Sequence, residues 1–266
     1  MMRVVWTTDI HLNFLQPHER ADFYVAIQNY QPDAVFISGD IAEAPSLRDL
    51  LHEMQCAIDR PFYFVLGNHD FYHASIETVR REIEDWGLTQ SGLIYLSTSG
   101  LIALTPQTAL IGHDGWGDGR LGNYQQSPVR LSDQALIRDF QGLDRDAVLA
   151  KLQALGEASA ASLRDVLTQA VDSYQQIVCL THVPPFKEAC WYEGKVGNDD
   201  WLPYFTCHAI GEVLLEMAHA HPDCQLTVLC GHTHHAGTVQ MLPNLLVKTG
   251  SAEYGQPHLE DILMIE

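Results

Sequence analysis

The residues able to do chemistry in this chain gather in two short phrases, Gly67-Asn68-His69-Asp70 and Gly231-His232-Thr233-His234. Each follows an apolar run, residues 61–66 for the first and 226–230 for the second. Three more runs share the design: 4–8 leads into Asp9-Ile10-His11, 34–38 into Gly39-Asp40, and 177–181 into His182. Five strand-like segments thus each deliver a carboxylate, an imidazole or an amide at their ends. Oxygen and nitrogen donors without a thiolate suit Mn, Fe, Zn, Co or Ni and not a structural cysteine–zinc site. Taken singly, an Asp-x-His or a Gly-Asp is usually a loop cap. Five such pieces, all after apolar runs, point to a polynuclear metal site.

Something must aim these groups at one place, and the alternation of the chain supplies it. Strand patterns at 4–8, 34–38 and 61–66 alternate with helical patterns near 18–30, 46–59 and 74–86, with Pro17 and Pro45 at the helix starts. Such alternation reads as βαβ units with parallel strands, whose ligand sites lie beyond the strands' carboxyl ends. Asp9 and His11, two residues apart at a strand end, are expected to project in the same sense, as are His232 and His234. Gly39 lets the backbone turn so that the Asp40 carboxylate faces back over the sheet edge. By the same alternation, His235 should face away from His234.

Short strands are expected at 92–96, 101–105 and 109–112, mostly helix over 132–174, and a strand at 177–181. An aromatic-rich insertion at 184–205 precedes a helix near 208–220, a strand at 226–230, and final strands at 237–242, 245–249 and 262–265. The insertion reads equally as a wall of the site or as a small satellite core. The loop His113-Asp114-Gly115-Trp116-Gly117-Asp118 lies where a strand end could reach the site, though a solvated turn is the plainer reading. Parallel strands early and hairpin-like strands late predict two sheets packed face to face with helices outside, in one domain covering residues 1–266.

The set Asp-x-His, Gly-Asp, Gly-Asn-His-Asp, His and Gly-His-x-His resembles the calcineurin-like metallophosphoesterase family, and every block is intact from residue 4 to about residue 250. The resemblance implies an α/β (α+β) fold, a four-layer αββα sandwich with two mixed β-sheets, and two divalent metal ions. Carried over by position, Asp9, His11 and His234 would hold one ion, Asn68, His182 and His232 the other, and Asp40 both. The implied reaction is hydrolysis of a phosphate mono- or diester by a metal-bridging hydroxide attacking phosphorus in line. His69 becomes the candidate to protonate the leaving oxygen, and Asp70 a candidate to orient its imidazole. After Gly39-Asp40 the chain reads Ile41-Ala42-Glu43-Ala44, without the arginine of the Ser/Thr protein phosphatases. The tyrosine that marks purple acid phosphatases is missing too.

Bulk properties narrow the partners. With 266 residues, 46% hydrophobic and 18% charged, the chain can bury a large core. A net charge of −19 speaks against nucleic acid, which is held mainly by Lys and Arg. A nuclease-type phosphodiesterase is therefore the second reading, and a non-catalytic protein-binding scaffold on the same fold the third. No apolar run approaches the roughly 18–20 residues of a membrane span, and the run at residues 1–6 is too short for a signal peptide. Six cysteines without a C-x-x-C pair read as reduced thiols, so a cytoplasmic protein acting on a small phosphorylated or nucleotide substrate is expected. Composition is silent on oligomeric state.

Overall fold

A computed structural model describes residues 1–266. Its elements run β1 (Met2–Thr7), α1 (Pro17–Gln28), β2 (Ala34–Ser38), α2 (Ala44–Ile58), β3 (Phe62–Val65), α3 (Ile76–Gly87), β4 (Leu93–Tyr95) and a helical turn α4 (Leu96–Ser99). Next come β5 (Ile102–Ala103), β6 (Thr108–Gly112), α5 (Asp133–Leu136), the long α6 (Arg145–Val171) and β7 (Gln176–Leu180). The remainder is the hairpin β8 (Trp191–Tyr192) and β9 (Lys195–Val196), α7 (Leu202–Phe205), α8 (His208–Ala220), β10 (Gln225–Cys230), β11 (Gly237–Leu242), β12 (Leu245–Thr249) and β13 (Asp261–Ile265).

Two large mixed sheets result, ordered β13-β1-β2-β3-β4 and β11-β12-β10-β7-β6-β5. Between them lies an apolar layer that includes Val4, Trp6 and Phe36 from one sheet and Leu110, Val178 and Leu229 from the other. The outer face of the first sheet carries α1, α2 and α3, with Ile27, Leu51 and Ile83 against Val5, Val35 and Phe64. On the second sheet's outer face Leu163, Leu167, Ile210 and Leu214 of α6 and α8 cover Ile177, Cys179 and Val228. Strands buried on both faces must be apolar throughout, which is why β2 is buried at all five positions. The four layers are those of the expected sandwich.

The division into sheets differs from the expectation that the late strands are hairpin-like. In the second sheet β6, β7, β10 and β12 are all parallel: α6 crosses over from β6 to β7 and α8 from β7 to β10, while β10 reaches β12 by way of the edge strand β11. Only its edges, β5 and β11, are antiparallel. The chain's last strand returns to the first sheet, where β13 pairs antiparallel with β1. Pro17 and Pro45 fall in the first helical turn, where a missing N–H costs nothing. Parallel centres in both sheets bring the carboxyl ends of β1, β2, β3, β7 and β10 to one edge of the sandwich. No helix is long and apolar enough to cross a membrane.

Candidate metal centre

The site grows from the loops that leave those five strands. β1 ends at Thr7, and Asp9 (φ 49°) and His11 (φ 41°) lie past it in the left-handed region; Asp40 (φ 51°), His232 (φ 68°) and His234 (φ 58°) share that conformation. The pleat alternation expected to aim Asp9 with His11, and to separate His235 from His234, therefore does not operate. Residues 231–236 form a loop, and the directions come from left-handed turns instead. Outside glycine such conformations cost roughly 1–3 kcal/mol each and persist where the surroundings impose them. Here the loops hold one another: Asp9 N–H donates to Gly39 O at 3.0 Å, His11 N–H to Asp40 O at 3.0 Å, and Gly231 N–H to His182 O at 2.9 Å. His69 N–H reaches Asp40 Oδ1 at 2.8 Å, and His232 N–H donates to the Asp9 carboxylate at 3.1 Å.

Two groups of donors result, each with its ligand atoms within 4.8 Å of one another: Asp9, His11, Asp40 and His234, and Asp40, His182 and His232. Asp40 belongs to both. The Asn68 carboxamide oxygen lies 3.2 Å from His182 Nε2, so it joins the second group. The structure thus brings all seven expected ligand residues together.

The hydrogen bonds indicate which ring atoms face inward. His182 Nδ1 sits 2.9 Å from Ser38 O, and His232 Nε2 sits 3.1 Å from Tyr204 O, so in each neutral ring those nitrogens donate. In neutral rings the other two nitrogens, His182 Nε2 and His232 Nδ1, would then face each other at 3.2 Å as lone pairs. His11 Nε2 lies 3.4 Å from His234 Nε2, which also sits 3.3 Å from Asp9 Oδ1. Lone pairs converging in a buried site need a cation or a proton between them.

Electrostatics agree. Burial opposes ionisation of Asp9 and Asp40, yet His182, helped by His234 and His69 respectively, holds both carboxyls below the usual range, Asp9 at about 2. Burial holds His11 down at about 4, and burial with the neighbouring His182 holds His232 at about 3, so both stay neutral. His182 and His234 go the other way: Asp40 and Asp9 overcome burial and raise His182 to about 10, and the hydrogen bond and charge of Asp9 overcome burial and raise His234. Two buried, ionised carboxylates and two neutral imidazoles fit divalent cations as well as any donor set can.

Around the ligands the loops carry supports that the motifs did not announce. Asp70 departs from its expected role. Its Oδ1 accepts from Ile41 N–H and Ala42 N–H at 2.9 Å each and its Oδ2 from Gly67 N–H at 2.8 Å, so it ties two ligand loops together and makes no hydrogen bond to the His69 ring. With three buried amide donors, that carboxylate is committed to the backbone of the two loops. His69 itself points to the cluster, its Nε2 3.9 Å from Asp40 Oδ2 and its ring 4.6 Å from that of His11, with Nδ1 free of any partner.

Asp133 accepts from Asn68 Nδ2 and from Tyr72 O–H, both at 2.9 Å, which turns the Asn68 oxygen toward His182. Tyr254 lays its ring 4.6 Å from His11 and 5.1 Å from His234. Neither residue stands in a recognisable phrase; only distant contacts reveal them. From the 113–118 loop, Asp114 O accepts from His182 N–H at 2.9 Å and Asp114 Oδ1 from Leu66 N–H at 2.8 Å, so this loop supports the site from behind. His235 packs on Tyr192, away from the cluster. Over the ligands opens a cavity of about 280 Å3 lined by Asp40, Asn68, His69, Asp133, His234 and Tyr254 among others, and Phe205 of the 184–205 insertion forms part of its wall.

A four-layer αββα sandwich with a histidine–aspartate cluster at the strand ends defines a metal-dependent phosphoesterase. The chain matches the family model of calcineurin-like phosphoesterases over residues 2–236, and it belongs to that family as a phosphoric ester hydrolase. Among solved structures, it is similar to a phosphopantetheinyl hydrolase (PptH) from Mycobacterium tuberculosis, with 15% identity, a TM-score of 0.64, and 94% of this chain and 89% of that one covered. A dimetal phosphatase from Danio rerio matches with 13% identity, TM-score 0.58 and coverage of 94% and 87%. The protein TT1561 of Thermus thermophilus matches with 14% identity, TM-score 0.54 and coverage of 94% and 89%. At these identities the likeness establishes the fold. No curated protein sequence matches the chain at a significant level.

Proposed function

We propose that the protein hydrolyses small phosphate mono- or diesters at a centre of two divalent cations. Asp9, His11 and His234 would hold one cation, Asn68, His182 and His232 the other, and Asp40 would serve both. The observation that carries this reading is the sharing of Asp40 between two converging donor groups. Bound divalent cations supply Lewis acidity, which lowers the pKa of water and offsets phosphoryl charge. The chain's own residues do the rest. Ser38 O and Tyr204 O fix the inward faces of His182 and His232, and Asp133 fixes that of Asn68. His69 stands at the cavity floor with an unshared ring nitrogen, the group best placed to donate a proton to the departing oxygen. Tyr254 and Phe205 border the cavity and restrict water. Asp70 acts by holding loops.

Six free cysteines, five of them buried, support a reducing, cytoplasmic setting. The test loads the protein with Mn2+ and measures bound metal beside turnover of an aryl monoester, an aryl diester and a cyclic nucleotide. Two equivalents of metal with hydrolysis of at least one substrate are expected; full loading with no turnover of any of the three would overturn the reading.

A further inference from the structure

A second cavity, of about 290 Å3, opens beside the metal cluster, and what lines it bears on the substrate. Its walls are aromatic, with Trp191, Tyr192 and Trp201 contributing alongside Phe205 and Thr233. The last two residues also line the cavity over the ligands, so the two spaces adjoin. The wall is built and not a loose flap. Gly197 N–H donates to Cys190 O at 2.7 Å, Thr249 O–H donates to Ala189 O at 2.8 Å, and the Trp191 indole occupies the space where a Cβ at position 237 would stand. Trp191 Nε1 is buried without a partner, while Trp201 and Tyr192 leave 45% and 59% of their surface in water. Aromatic faces left wet beside a polar site are what a planar ring would cover.

Charge restricts the phosphate itself. No lysine or arginine lines either cavity, and Asp40 and Asp133 line the first. A monoester dianion carries an additional charged terminal oxygen, normally met by an arginine fork or a lysine. A diester carries one negative charge and replaces that oxygen with a second organic group, which needs a seat of its own. Position separates the two ester groups. Phe205 packs on His232, with ring centres 4.3 Å apart, whereas His69 packs on His11 of the other donor group. The leaving group departs beside His69, and the retained group lies toward Phe205.

We propose that the substrate is a phosphodiester whose retained ester group is a planar aromatic ring seated in this cavity against Trp201, which itself packs edge-on against Phe205 with ring centres 5.5 Å apart. The proposal rests on the phosphoesterase reading above. Two diesters with one leaving group test it: phenyl p-nitrophenyl phosphate and methyl p-nitrophenyl phosphate, with the p-nitrophenyl monoester as a third substrate. The Mn2+-loaded protein should prefer the phenyl diester by on the order of tenfold in kcat/KM over both others. In Trp201→Ala, a half-exposed position whose truncation spares the core, the phenyl-to-methyl ratio should fall toward one. Equal use of the two diesters, a ratio unchanged by Trp201→Ala, or a preference for the monoester overturns the proposal. Tryptophan fluorescence keeps the two readings separable. Quenching by diphenyl phosphate but not by dimethyl phosphate, lost in Trp201→Ala, supports the ring site even if every ester resists hydrolysis. Absence of that quenching overturns it.

Discussion

At His69 the chain keeps a protonatable ring next to the ligands without a carboxylate to orient it, since Asp70 is taken up by the amides of Ile41, Ala42 and Gly67. His69→Ala should lower kcat by roughly 10² to 10⁴ while metal content, read by elemental analysis, stays at the wild-type level. Turnover equal to wild type would remove the proton-donor role. Asp133 works one bond further out. Losing it frees the Asn68 carboxamide, which it holds at 2.9 Å, to rotate away from His182. Asp133→Ala should weaken metal affinity by roughly 10- to 100-fold, measured by titration calorimetry, since residues that orient ligands typically matter on that scale. Unchanged affinity would show that Asn68 is oriented by other means. Burial holds the Asp133 carboxyl above its ordinary value, and the hydrogen bonds from Asn68 and Tyr72 offset only part of that rise.

Scale up to the elements, and the crossing of loops governs the site more than any single strand. The Gly39 and Gly67 turns pass each other so closely that a Cβ on Gly67 would collide with the Asp40 carboxylate and lie 2.6 Å from Asp40 N. Backbone cannot yield there without moving a ligand shared by both donor groups. Gly67→Ala should therefore cost about 1–3 kcal/mol of stability, as overpacked interiors do, and abolish metal binding. At the end of α3, Gly87→Ala meets only Leu93 O at 3.7 Å and should leave both unchanged. Thermal denaturation and metal analysis of the two variants, run side by side, check the contrast. The 184–205 insertion shows the same dependence on neighbours. Its hairpin and α7 bring Phe205 against His232 and Trp191 against Gly237 of β11, so a segment irregular by pattern becomes a wall of the site.

For the whole molecule, the two sheets are clamped at the site's edge by one buried carboxylate. Asp114 follows β6 of the second sheet, yet it accepts from Leu66 N–H at 2.8 Å, Tyr95 O–H at 2.7 Å and Arg80 Nε at 2.9 Å, all on the first sheet or its helix. Burial would raise its carboxyl, but Arg80, His113 and the Tyr95 hydroxyl outweigh that and hold it below the ordinary value. A carboxyl depressed in the folded state stabilises it above the unfolded pKa of about 3.9, and that contribution disappears as pH falls through this value toward the lower folded one. Melting temperature should drop steeply on acidification below about pH 4 in the wild type and less steeply in Asp114→Asn. That variant should lose roughly 2–4 kcal/mol at neutral pH, at or under the range for a fully buried pair because Arg80 is a quarter exposed. Parallel acid profiles for both proteins would refute the clamp.

Much of this was legible in the residues themselves. Strands buried on both faces must be apolar along their length, so β1, β2, β3, β7 and β10 announce themselves, and the polar groups that end them have nowhere to lie but the edge. That pattern pointed to two packed sheets with a site at one edge; the family and the seven candidate ligand residues came from the resemblance of the motifs. Local spacing could not say how the ligands turn. The left-handed backbone at Asp9, His11, Asp40, His232 and His234 is imposed by loops from distant parts of the chain, not by neighbours in sequence. Asp133, Asp114 and Tyr254 enter the site through contacts across 17 to 243 positions of sequence, and Asp70 changes its role for the same reason. Hydrophobic periodicity is a local property and writes the scaffold; hydrogen-bond partners are chosen only once the two sheets close on each other.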